Sequence, residues 1–334
     1  MVKGVDLGWL TQLESQGITW QDEQGVVRQP LELLKEMGTN AIRLRVFVNP
    51  PEDAFWQKKE NERCMLGFCD VQSVAQMAKR VKDAGFALMI DIHYSDHFAD
   101  PEYQDIPQAW LAEDFEGMKR KVYEHTQEVM TELREQGIEP DWVQVGNEIN
   151  NGILLPVGSF KEHSGQLIGL LNTGYDAAKQ IFPETKVITH LSGLPIMDWV
   201  MPFLSNFFEL GGKTDILGFS YYPYWYQMFA PEHGQHDKEV LRKALEKIQT
   251  SYQKPVMIVE TGGSDGEGEQ TRDMLRDILC VLESLPGQAG QGVFYWEPEV
   301  SSSVVPDHYP LGACRVVEES RLQFNEALLA YQKA

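Results

Sequence analysis

The sequence predicts a single (β/α)₈ barrel, a TIM barrel, that spans residues 1–334. Short apolar or β-branched runs alternate with longer amphipathic segments, and there are eight such runs. Strands that alternate with helices are typical of a parallel sheet, and eight units are the number that closes into this barrel. A doubly wound open sheet is the alternative. It is disfavoured because the first turn, Gly-Val-Asp-Leu-Gly-Trp-Leu, lacks the Gly-x-Gly-x-x-Gly pattern of such folds.

The predicted elements follow one another without a linker or a low-complexity tract. The predicted strands are Val2–Leu7, Ala41–Val46, Ala87–His93, Trp142–Val145, Lys186–His190, Ile216–Ser220, Val256–Glu260 and Gly292–Trp296. The predicted helices are Leu31–Met37, Val71–Ala84, Asp114–Gln136, Gln166–Phe182, Asp198–Leu210, Lys238–Gln253, Glu269–Ser284 and a final helix Glu318–Tyr331. Four helices are followed by a glycine, which suits the left-handed residue that ends many helices: Gly38, Gly85, Gly137 and Gly211.

Charge and hydropathy exclude some classes of partner. The chain carries 29 basic and 50 acidic residues, a net charge of −21, and this field would repel a nucleic acid but not a neutral glycan. No apolar run approaches the ~20 residues that cross a membrane, so no membrane partner is expected. The N-terminus lacks a signal-peptide pattern, and we expect a cytoplasmic protein if the chain is complete, or a secreted one whose signal peptide has been removed. We expect a monomer without a cofactor.

The cysteines do not show the Cys-x-x-Cys spacing of zinc or redox sites. Cys64 and Cys69 fall in one predicted loop and are candidates for a pair. Cys280 lies in a predicted helix, where a buried free thiol is the usual state, and Cys314 is the fourth cysteine. This usage favours a reducing compartment.

Polar residues are concentrated where the predicted strands end. Because these ends meet at the barrel face that carries active sites in this fold, the polar residues predict a site there. The longer loops, after strands 2, 3, 4, 6 and 8, lie at the same face and predict a cleft for an extended ligand. The polar strand ends are Arg43-Leu44-Arg45, Asp91–Asp96, Gly146-Asn147-Glu148, Ser220–Trp225, Val259-Glu260-Thr261 and Tyr295-Trp296-Glu297.

Two glutamates in this set predict glycoside hydrolysis. Glu148 and Glu260 end strands 4 and 7, which lie opposite each other across the barrel axis. A retaining glycosidase needs such a pair, one residue as acid/base and one as nucleophile. Period-two alternation places Glu260 on one strand face with Val256 and Ile258.

The same alternation predicts which polar side chains bind the substrate. Arg43 and Arg45 share a face, and we expect Arg45 at the site and Arg43 beside a buried carboxylate lower in the barrel. Asn147 is expected to bind the sugar 2-hydroxyl, and Arg45 and Tyr222 to keep the nucleophile ionised. The complete set of predicted substrate-binding residues is Arg45, Asp91, His93, Asp96, Asn147, Tyr222, Trp225 and Trp296.

Three further interpretations concern the same strand ends. A metal site is the main alternative for Asp91, His93 and Asp96, but it needs further histidines at strand ends, and His190 is the one candidate. We therefore predict no metal, and expect His93 to bind sugar or orient a catalytic group.

Two glutamates that follow strand 8 are expected to be loop or supporting residues, with sugar binding as the alternative: Glu297 and Glu299. Aromatic rings crowd the rim, where they stack on sugar or pack loops onto the barrel: Tyr94, Trp110, Tyr221, Tyr222, Tyr224, Trp225, Tyr226 and Trp296.

The strand ends resemble those of one known family. The segments that carry the resemblance are Gly-Val-Asp-Leu near the start, Ile-Arg-Leu-Arg-Val at 42–46, Met-Ile-Asp-Ile-His-Tyr-Ser-Asp at 89–96, Trp-Val-Gln-Val-Gly-Asn-Glu-Ile-Asn at 142–150, Ser-Tyr-Tyr-Pro-Tyr-Trp at 220–225 and Gly-Val-Phe-Tyr-Trp-Glu-Pro-Glu at 292–299. Together they resemble glycoside hydrolase family 53, the arabinogalactan endo-β-1,4-galactanases, which are retaining (β/α)₈ enzymes. The resemblance implies that Glu148 is the acid/base and Glu260 the nucleophile. It also implies that the subsite for the cleaved galactose is lined by Arg45, His93, Asn147, Tyr222 and Trp296.

The chain departs from that family in the loop after Glu260. Many members continue Thr-Ala-Tyr-Pro-Trp, whereas this chain continues Thr261-Gly262-Gly263-Ser264-Asp265-Gly266 and lacks the aromatic platform. The acidic loop that some bacterial members use for calcium is not evident after strand 7 or 8, so we predict no structural calcium. The leading hypothesis is endo-hydrolysis of β-1,4-galactan with retention. The alternatives are a related retaining β-glycosidase that acts on mannan, glucan or short galacto-oligosaccharides, and a catalytically inactive carbohydrate-binding barrel.

Overall fold

A computed structural model describes residues 1–332, in which eight parallel strands close into a barrel surrounded by helices. The strands are β1 (Val2–Asp6), β2 (Ala41–Val46), β3 (Ala87–Ile92), β4 (Trp142–Val145), β5 (Lys186–Leu191), β6 (Ile216–Tyr221), β7 (Val256–Thr261) and β8 (Gly290–Tyr295). β1 pairs with both β2 and β8, which closes the sheet. The predicted (β/α)₈ fold is confirmed.

Helices follow the strands and cover the outside of the barrel. They are α1 (Leu10–Ser15), α2 (Pro30–Glu36), α3 (Val71–Asp83), α4 (Phe115–Glu135), α5 (Ser164–Ile181), α6 (Met197–Glu209), α7 (Pro223–Phe229), α8 (Lys238–Tyr252) and α9 (Gly268–Ser284). The four glycines predicted to follow helices have φ between +72° and +96°, as a left-handed C-terminal residue requires. Within residues 1–332, no helix is both long and apolar enough to span a membrane.

The barrel interior changes from apolar to polar along the strands. A small apolar cluster, separate from the main core between strands and helices, is formed by Ala41, Met89, Ile188, Ile216, Met257, Val259 and Phe294. Polar and fully or almost fully buried residues occupy the inward positions that follow: Asp6, Arg43, Asp91, Gln144, His190, Ser220 and Glu260. Because apolar side chains fill the lower barrel, the polar layer lies at the carboxyl ends of the strands, where this fold places its active sites.

β7 departs from simple alternation just before the predicted nucleophile. Phe219 of β6 pairs with Ile258, but the next pair is Ser220 with Glu260, so β7 holds one extra residue. Val256 and Ile258 pack in the main core outside the barrel. The predicted common face of Val256, Ile258 and Glu260 is therefore wrong. A bulge shifts the alternation by one residue, and it turns Glu260 inward.

The end of the chain also differs from the prediction. In place of a helix over Glu318–Tyr331, an antiparallel pair of strands, Cys314–Glu318 and Arg321–Phe324, precedes a 3₁₀ segment, Glu326–Tyr331. The second strand alternates between buried and partly exposed residues, and it pairs with Thr19–Gln21. Pairing with a strand far away in sequence explains why local pattern did not reveal it.

Long loops rise from the carboxyl ends of the strands. The loop after β2 forms an antiparallel hairpin, Phe55–Lys59 with Glu62–Met65, which the sequence did not predict. The four cysteines are free thiols, so Cys64 and Cys69 do not pair. Cys280 is exposed on α9, which corrects the expectation that it is buried.

Candidate active site

The two predicted catalytic glutamates meet at the mouth of the barrel. Glu148 lies just after β4, and Glu260 lies within β7. One oxygen of each carboxylate and a ring nitrogen of His190 all lie within 4.8 Å of one another. Retaining glycosidases hold their carboxyl groups about 5–5.5 Å apart, whereas inverting enzymes leave about 6.5–9.5 Å for a water molecule. The separation fits a retaining double displacement.

A strained turn carries Glu148 into this position. Gly146 has φ +80° and Glu148 has φ +48°, so two residues with a left-handed backbone conformation follow β4 directly. A Cβ at residue 146 would lie 2.8 Å from Cγ2 of Ile149, so the close approach also requires glycine. A left-handed residue that is not glycine costs roughly 1–2 kcal/mol, and such strain is concentrated at functional sites.

The Glu260 carboxylate is held by a cation and a hydroxyl group. Arg43 Nη2 lies 2.9 Å from Glu260 Oε1, and the Tyr222 hydroxyl donates to Oε2 over 3.4 Å. Burial raises the pKa of Glu260, and the positive charge of Arg43 opposes that rise. These contacts favour the ionised form that a nucleophile requires.

Glu148 lies in a different electrostatic environment. Burial, and then the negative charge of Glu260, raise the pKa of Glu148 well above its ordinary value. Arg43 contacts Glu260 directly, so a proton shared by the pair stays on Glu148. A protonated Glu148 and an ionised Glu260 are the states that an acid and a nucleophile need.

Arg43 connects the polar layer beneath the glutamates. Its Nη1 donates to Asp6 Oδ2 over 2.5 Å. Its Nη2 lies 2.7 Å from Asp91 Oδ2 and 2.9 Å from Asn147 Oδ1, in addition to its contact with Glu260. Arg43 is 0% exposed, so these acceptors replace the water that its two terminal nitrogens have lost, while Nε has no hydrogen-bond partner.

The prediction that Arg45 serves the nucleophile is wrong, whereas Arg43 lies beside buried carboxylates as predicted, those of Asp6 and Asp91. Arg45 does not hold the nucleophile: its Nη1 forms an ion pair with Glu297, and its Nη2 donates to the Leu66 carbonyl over 3.0 Å. Arg45 lies nearer the mouth, but acceptors in the loops after β2 and β8 draw its guanidinium sideways. Arg43, one inward position lower, is the arginine that reaches Glu260.

Asp91 and His93 support the site from below. Asp91 is 0% exposed, and its Oδ1 accepts from Gln144 Nε2 over 2.5 Å. His93 Nδ1 accepts from the Ala99 N–H over 2.9 Å, which leaves Nε2–H to donate to Asp91 Oδ2 over 2.8 Å. Burial lowers the pKa of His93, so the ring is neutral. The prediction that Asp91 binds sugar is therefore corrected to an orienting role around Arg43. For His93, these contacts favour the orienting role over sugar binding, the two alternatives that the sequence left open.

Asp96 binds loop backbone and not the site. Its Oδ1 accepts from the Asn49 N–H over 3.0 Å, and its Oδ2 accepts from the Gln108 N–H over 2.8 Å. These bonds join the loops after β2 and β3. The prediction that Asp96 binds substrate is corrected accordingly, because both of its oxygens are committed to backbone amides.

Asn147 lies beside Glu148 as expected, and its side chain is fixed. Oδ1 accepts from His190 Nδ1 over 2.8 Å, and Nδ2 donates to the Ala99 carbonyl over 2.9 Å. His190 Nε2 then accepts from the Ser220 hydroxyl over 2.8 Å. Burial lowers the pKa of His190 well below its ordinary value, so the ring is neutral. Nδ2 of Asn147 carries a second N–H, and its contact with a sugar 2-hydroxyl stays a prediction.

The metal alternative requires a different set of residues from the one that meets at the mouth. Glu148, His190 and Glu260 are the acidic and imidazole groups that come together there. Asp91 and His93 bind each other and the protein around them. The Asp-x-His pair is thus committed to the polar layer and does not face the two glutamates as a metal ligand set.

Aromatic side chains line one wall of the mouth. The Trp296 ring lies 5.0 Å from Trp9 and 4.7 Å from Tyr309, centroid to centroid, and Phe98 lies 6.1 Å away. Trp225 reaches the same group, 6.4 Å from Tyr309. Sequence reasoning predicted Trp225 and Trp296 but missed the other three. Trp9 comes three residues after the end of β1, and that position near a strand end was the available signal.

Glu297 fastens this wall to the barrel. Its two oxygens accept from the backbone N–H groups of Gly8 and Trp9 over 2.8 and 2.9 Å, and its charge pairs with Arg45. Glu299 is also 0% exposed, and burial raises its pKa well above the ordinary value. Glu297 thus has the supporting role that the sequence predicted, whereas neither oxygen of Glu299 has a hydrogen-bond partner.

Comparison with known proteins agrees with this geometry. A sequence profile of glycosyl hydrolase family 53 matches residues 2–330. An arabinogalactan endo-β-1,4-galactanase of Cellvibrio japonicus is 30% identical, over 88% of this chain and 79% of that protein. An endo-β-1,4-galactanase of Bacillus subtilis is 28% identical, over 89% of this chain and 70% of that protein. The family 53 catalytic domain of Ignisphaera aggregans superposes with a TM-score of 0.84 at 26% identity, over 99% of this chain and 95% of that one. This chain belongs to glycosyl hydrolase family 53.

Proposed function

We propose that this chain is an endo-acting β-1,4-galactanase that cleaves type I arabinogalactan with retention, using Glu148 as acid/base and Glu260 as nucleophile. The observation that carries the mechanism is the pair of carboxylates within 4.8 Å, of which Glu260 contacts Arg43. The named activity of the Cellvibrio and Bacillus relatives supports the substrate.

In the first step, Glu260 attacks the anomeric carbon while Glu148 gives its proton to the departing glycosidic oxygen. The glycosidic bond breaks, one part of the chain leaves, and the other remains as an ester on Glu260. Esterification removes the negative charge of Glu260, and this lowers the pKa of Glu148. Glu148 then takes a proton from water, whose oxygen attacks the anomeric carbon and releases Glu260.

Glu260→Ala tests the proposal directly. Loss of the nucleophile should lower the release of reducing ends from linear galactan by at least about 1,000-fold, because no covalent intermediate can form. Glu135→Ala, which removes an exposed glutamate of α4, is the matched control and should retain wild-type activity. Activity of Glu260→Ala within tenfold of wild type would reject the assignment.

A substrate panel tests the specificity separately. Wild-type protein is incubated with linear β-1,4-galactan, mannan, glucan and short galacto-oligosaccharides, and the products are sized and their first-formed anomer is read by proton NMR. We expect galactan to be cleaved internally, with β-configured products. Faster turnover of mannan or glucan would assign a different β-glycosidase, and α-configured products would refute retention.

A further inference from the structure

An exposed aromatic patch lies at the barrel mouth beyond the wall described above. Trp199 in the first turn of α6 is 45% exposed, and Phe229 at the end of α7 is 54% exposed. Their rings lie 5.7 Å apart and 30° from parallel, and Met228 beside them is 70% exposed. Large apolar side chains that cluster on a surface usually mark a binding site.

The indole of Trp199 is held in place by the backbone under it. Gly193 follows β5 with φ +84°, and a Cβ there would lie 2.9 Å from Cε3 of Trp199. The indole therefore lies directly against the glycine, which any other residue would prevent. A ring that is packed on one side and exposed on the other has little freedom to lose on binding.

The patch is continuous with the surroundings of the catalytic acid. Ser192, next to Gly193, donates its N–H to Asn150 Oδ1 over 2.8 Å and its hydroxyl to the same atom over 3.0 Å. Asn150 lies two residues after Glu148. The support of Trp199 is thus bonded to the turn that presents the acid.

A second connection runs through α7. The Phe229 ring packs 5.8 Å from Tyr226, centroid to centroid. The Tyr226 hydroxyl donates to the Ser220 carbonyl over 3.2 Å, in the strand that flanks the two glutamates. Trp199 is therefore linked to Asn150 through Gly193 and Ser192, and Phe229 is linked to Ser220 through Tyr226.

We propose that Trp199 and Phe229 form a distal glycan-binding platform for the leaving-group side of the polysaccharide. Glu148 protonates the departing oxygen, so a platform joined to the Glu148 turn lies on the side where the leaving chain extends. A neutral sugar chain fits it better than an acidic protein, because this chain carries a net charge of −21. Sugar C–H faces also pack well on aromatic rings. The inference rests on the proposed glycan hydrolysis.

Trp199→Ala and Phe229→Ala test the platform against polymer and short substrates. We expect kcat/KM for linear galactan to fall by about 3- to 10-fold in each variant, and for galactotriose by less than twofold. Tyr123→Ala, which removes a 37% exposed ring from the outer face of α4, is the matched control and should match wild type on both. Equal losses on polymer and trimer, or none on either, would overturn the platform.

Cleavage position tests which side the platform serves. With galactohexaose labelled at its reducing end, Trp199→Ala should move the preferred cleavage towards that end, because fewer sugars are then held on the leaving side. Movement in the opposite direction, or an unchanged pattern, would overturn the assignment. A variant whose main change is the loss of a dimer in light scattering would assign the patch to a second copy of the chain, and would also overturn it.

The two proposals fail in different ways. If wild-type protein leaves galactan intact but cleaves another glycan of the panel, the galactan assignment is lost, and the same variants are compared on the polymer and trimer of that glycan. If wild type cleaves galactan and the variants do not differ from it, the function stands and the platform is lost.

Discussion

Arg43 determines the charge state of the candidate site. One buried guanidinium contacts three carboxylates, those of Asp6, Asp91 and Glu260. Burial of the guanidinium is costly, and the cost is offset by these ion pairs, of which those with Asp6 and Asp91 are also charge-assisted hydrogen bonds. The same arrangement separates the two glutamates chemically, because the arginine contacts the nucleophile directly and the acid only through its field. Burial alone would raise the pKa of both glutamates.

Arg43→Lys tests this role at the residue scale. A lysine keeps one charge but cannot reproduce the planar fork, so the pKa of Glu260 should rise. Because the nucleophile must be ionised, the acid limb of kcat/KM should move to higher pH, and the maximum should fall by about 100-fold, or ~2.7 kcal/mol. The measurement is the pH profile of galactan hydrolysis.

Arg45→Lys is the matched control for that experiment. Arg45 pairs with Glu297 and does not hold Glu260, so the acid limb of kcat/KM should move much less in the Arg45→Lys variant. Circular dichroism and thermal unfolding establish that both variants fold. Equal shifts of the acid limb in the two variants would refute the assignment of Arg43 as the counter-ion of Glu260.

At the scale of elements, the site depends on how closely the strand ends approach one another. Glu297 after β8 accepts backbone N–H groups from Gly8 and Trp9 after β1, and it pairs with Arg45 of β2. Gly8 leaves no room for a side chain at this junction, since a Cβ there would lie 2.1 Å from Nη1 of Arg45. Three strands are thus joined by one carboxylate, and the aromatic wall stands on that junction.

Gly8→Ala should disrupt the junction. The added methyl group cannot be accommodated without moving Arg45 away from Glu297, so we expect a loss of at least about 1–3 kcal/mol in the free energy of unfolding. Gly165→Ala is the matched control: nothing lies within 4 Å of a Cβ there, and the residue is helical in α5. That variant should be neutral or more stable by about 0.5–1 kcal/mol. Urea unfolding measures both, and equal stabilities would contradict the argument.

At the scale of the whole molecule, buried carboxyl groups crowd around Arg45 near the ends of β1 and β8. Asp6, Glu297 and Glu299 are all 0% exposed and lie around one another near Arg45. Burial raises the pKa of Asp6 and Glu299 well above their ordinary values, whereas the positive charge of Arg45 lowers the pKa of Glu297 against the effect of burial. A raised pKa lets a buried carboxyl group keep its proton to higher pH, which reduces the repulsion among these three groups.

Glu299→Gln should therefore change how stability depends on pH. A carboxyl group with a raised pKa in the folded state contributes stability that is fully present below its unfolded value of about 4.3 and is lost as pH rises through the folded value. Glutamine does not ionise, so the variant should gain in Tm relative to wild type as pH rises from 5 to 8. In free energy of unfolding, the gain should approach about 1.4 kcal/mol for each unit of difference between the folded and unfolded pKa values of Glu299.

Thermal unfolding at several pH values tests the role of Glu299. Thermal unfolding is followed at several pH values for wild type, for Glu299→Gln and for Glu135→Gln, an exposed glutamate on α4. The Glu135→Gln curve should run parallel to wild type. A Glu299→Gln curve that also runs parallel would show that Glu299 does not titrate differently in the folded protein.

The barrel and the pair of glutamates at its mouth follow from the sequence alone, because hydrophobic period, glycine at helix ends and charge at the end of apolar runs are local signals. The exchange of roles between Arg43 and Arg45 does not, since the two lie on the same face of β2 and differ in which distant acceptor each one meets. The bulge that turns Glu260 inward is set by pairing with β6, and the strand pair at the chain end is set by pairing with Thr19–Gln21. Only the tertiary structure decides such matters, because the partners that fix a side chain or a register are far away in sequence.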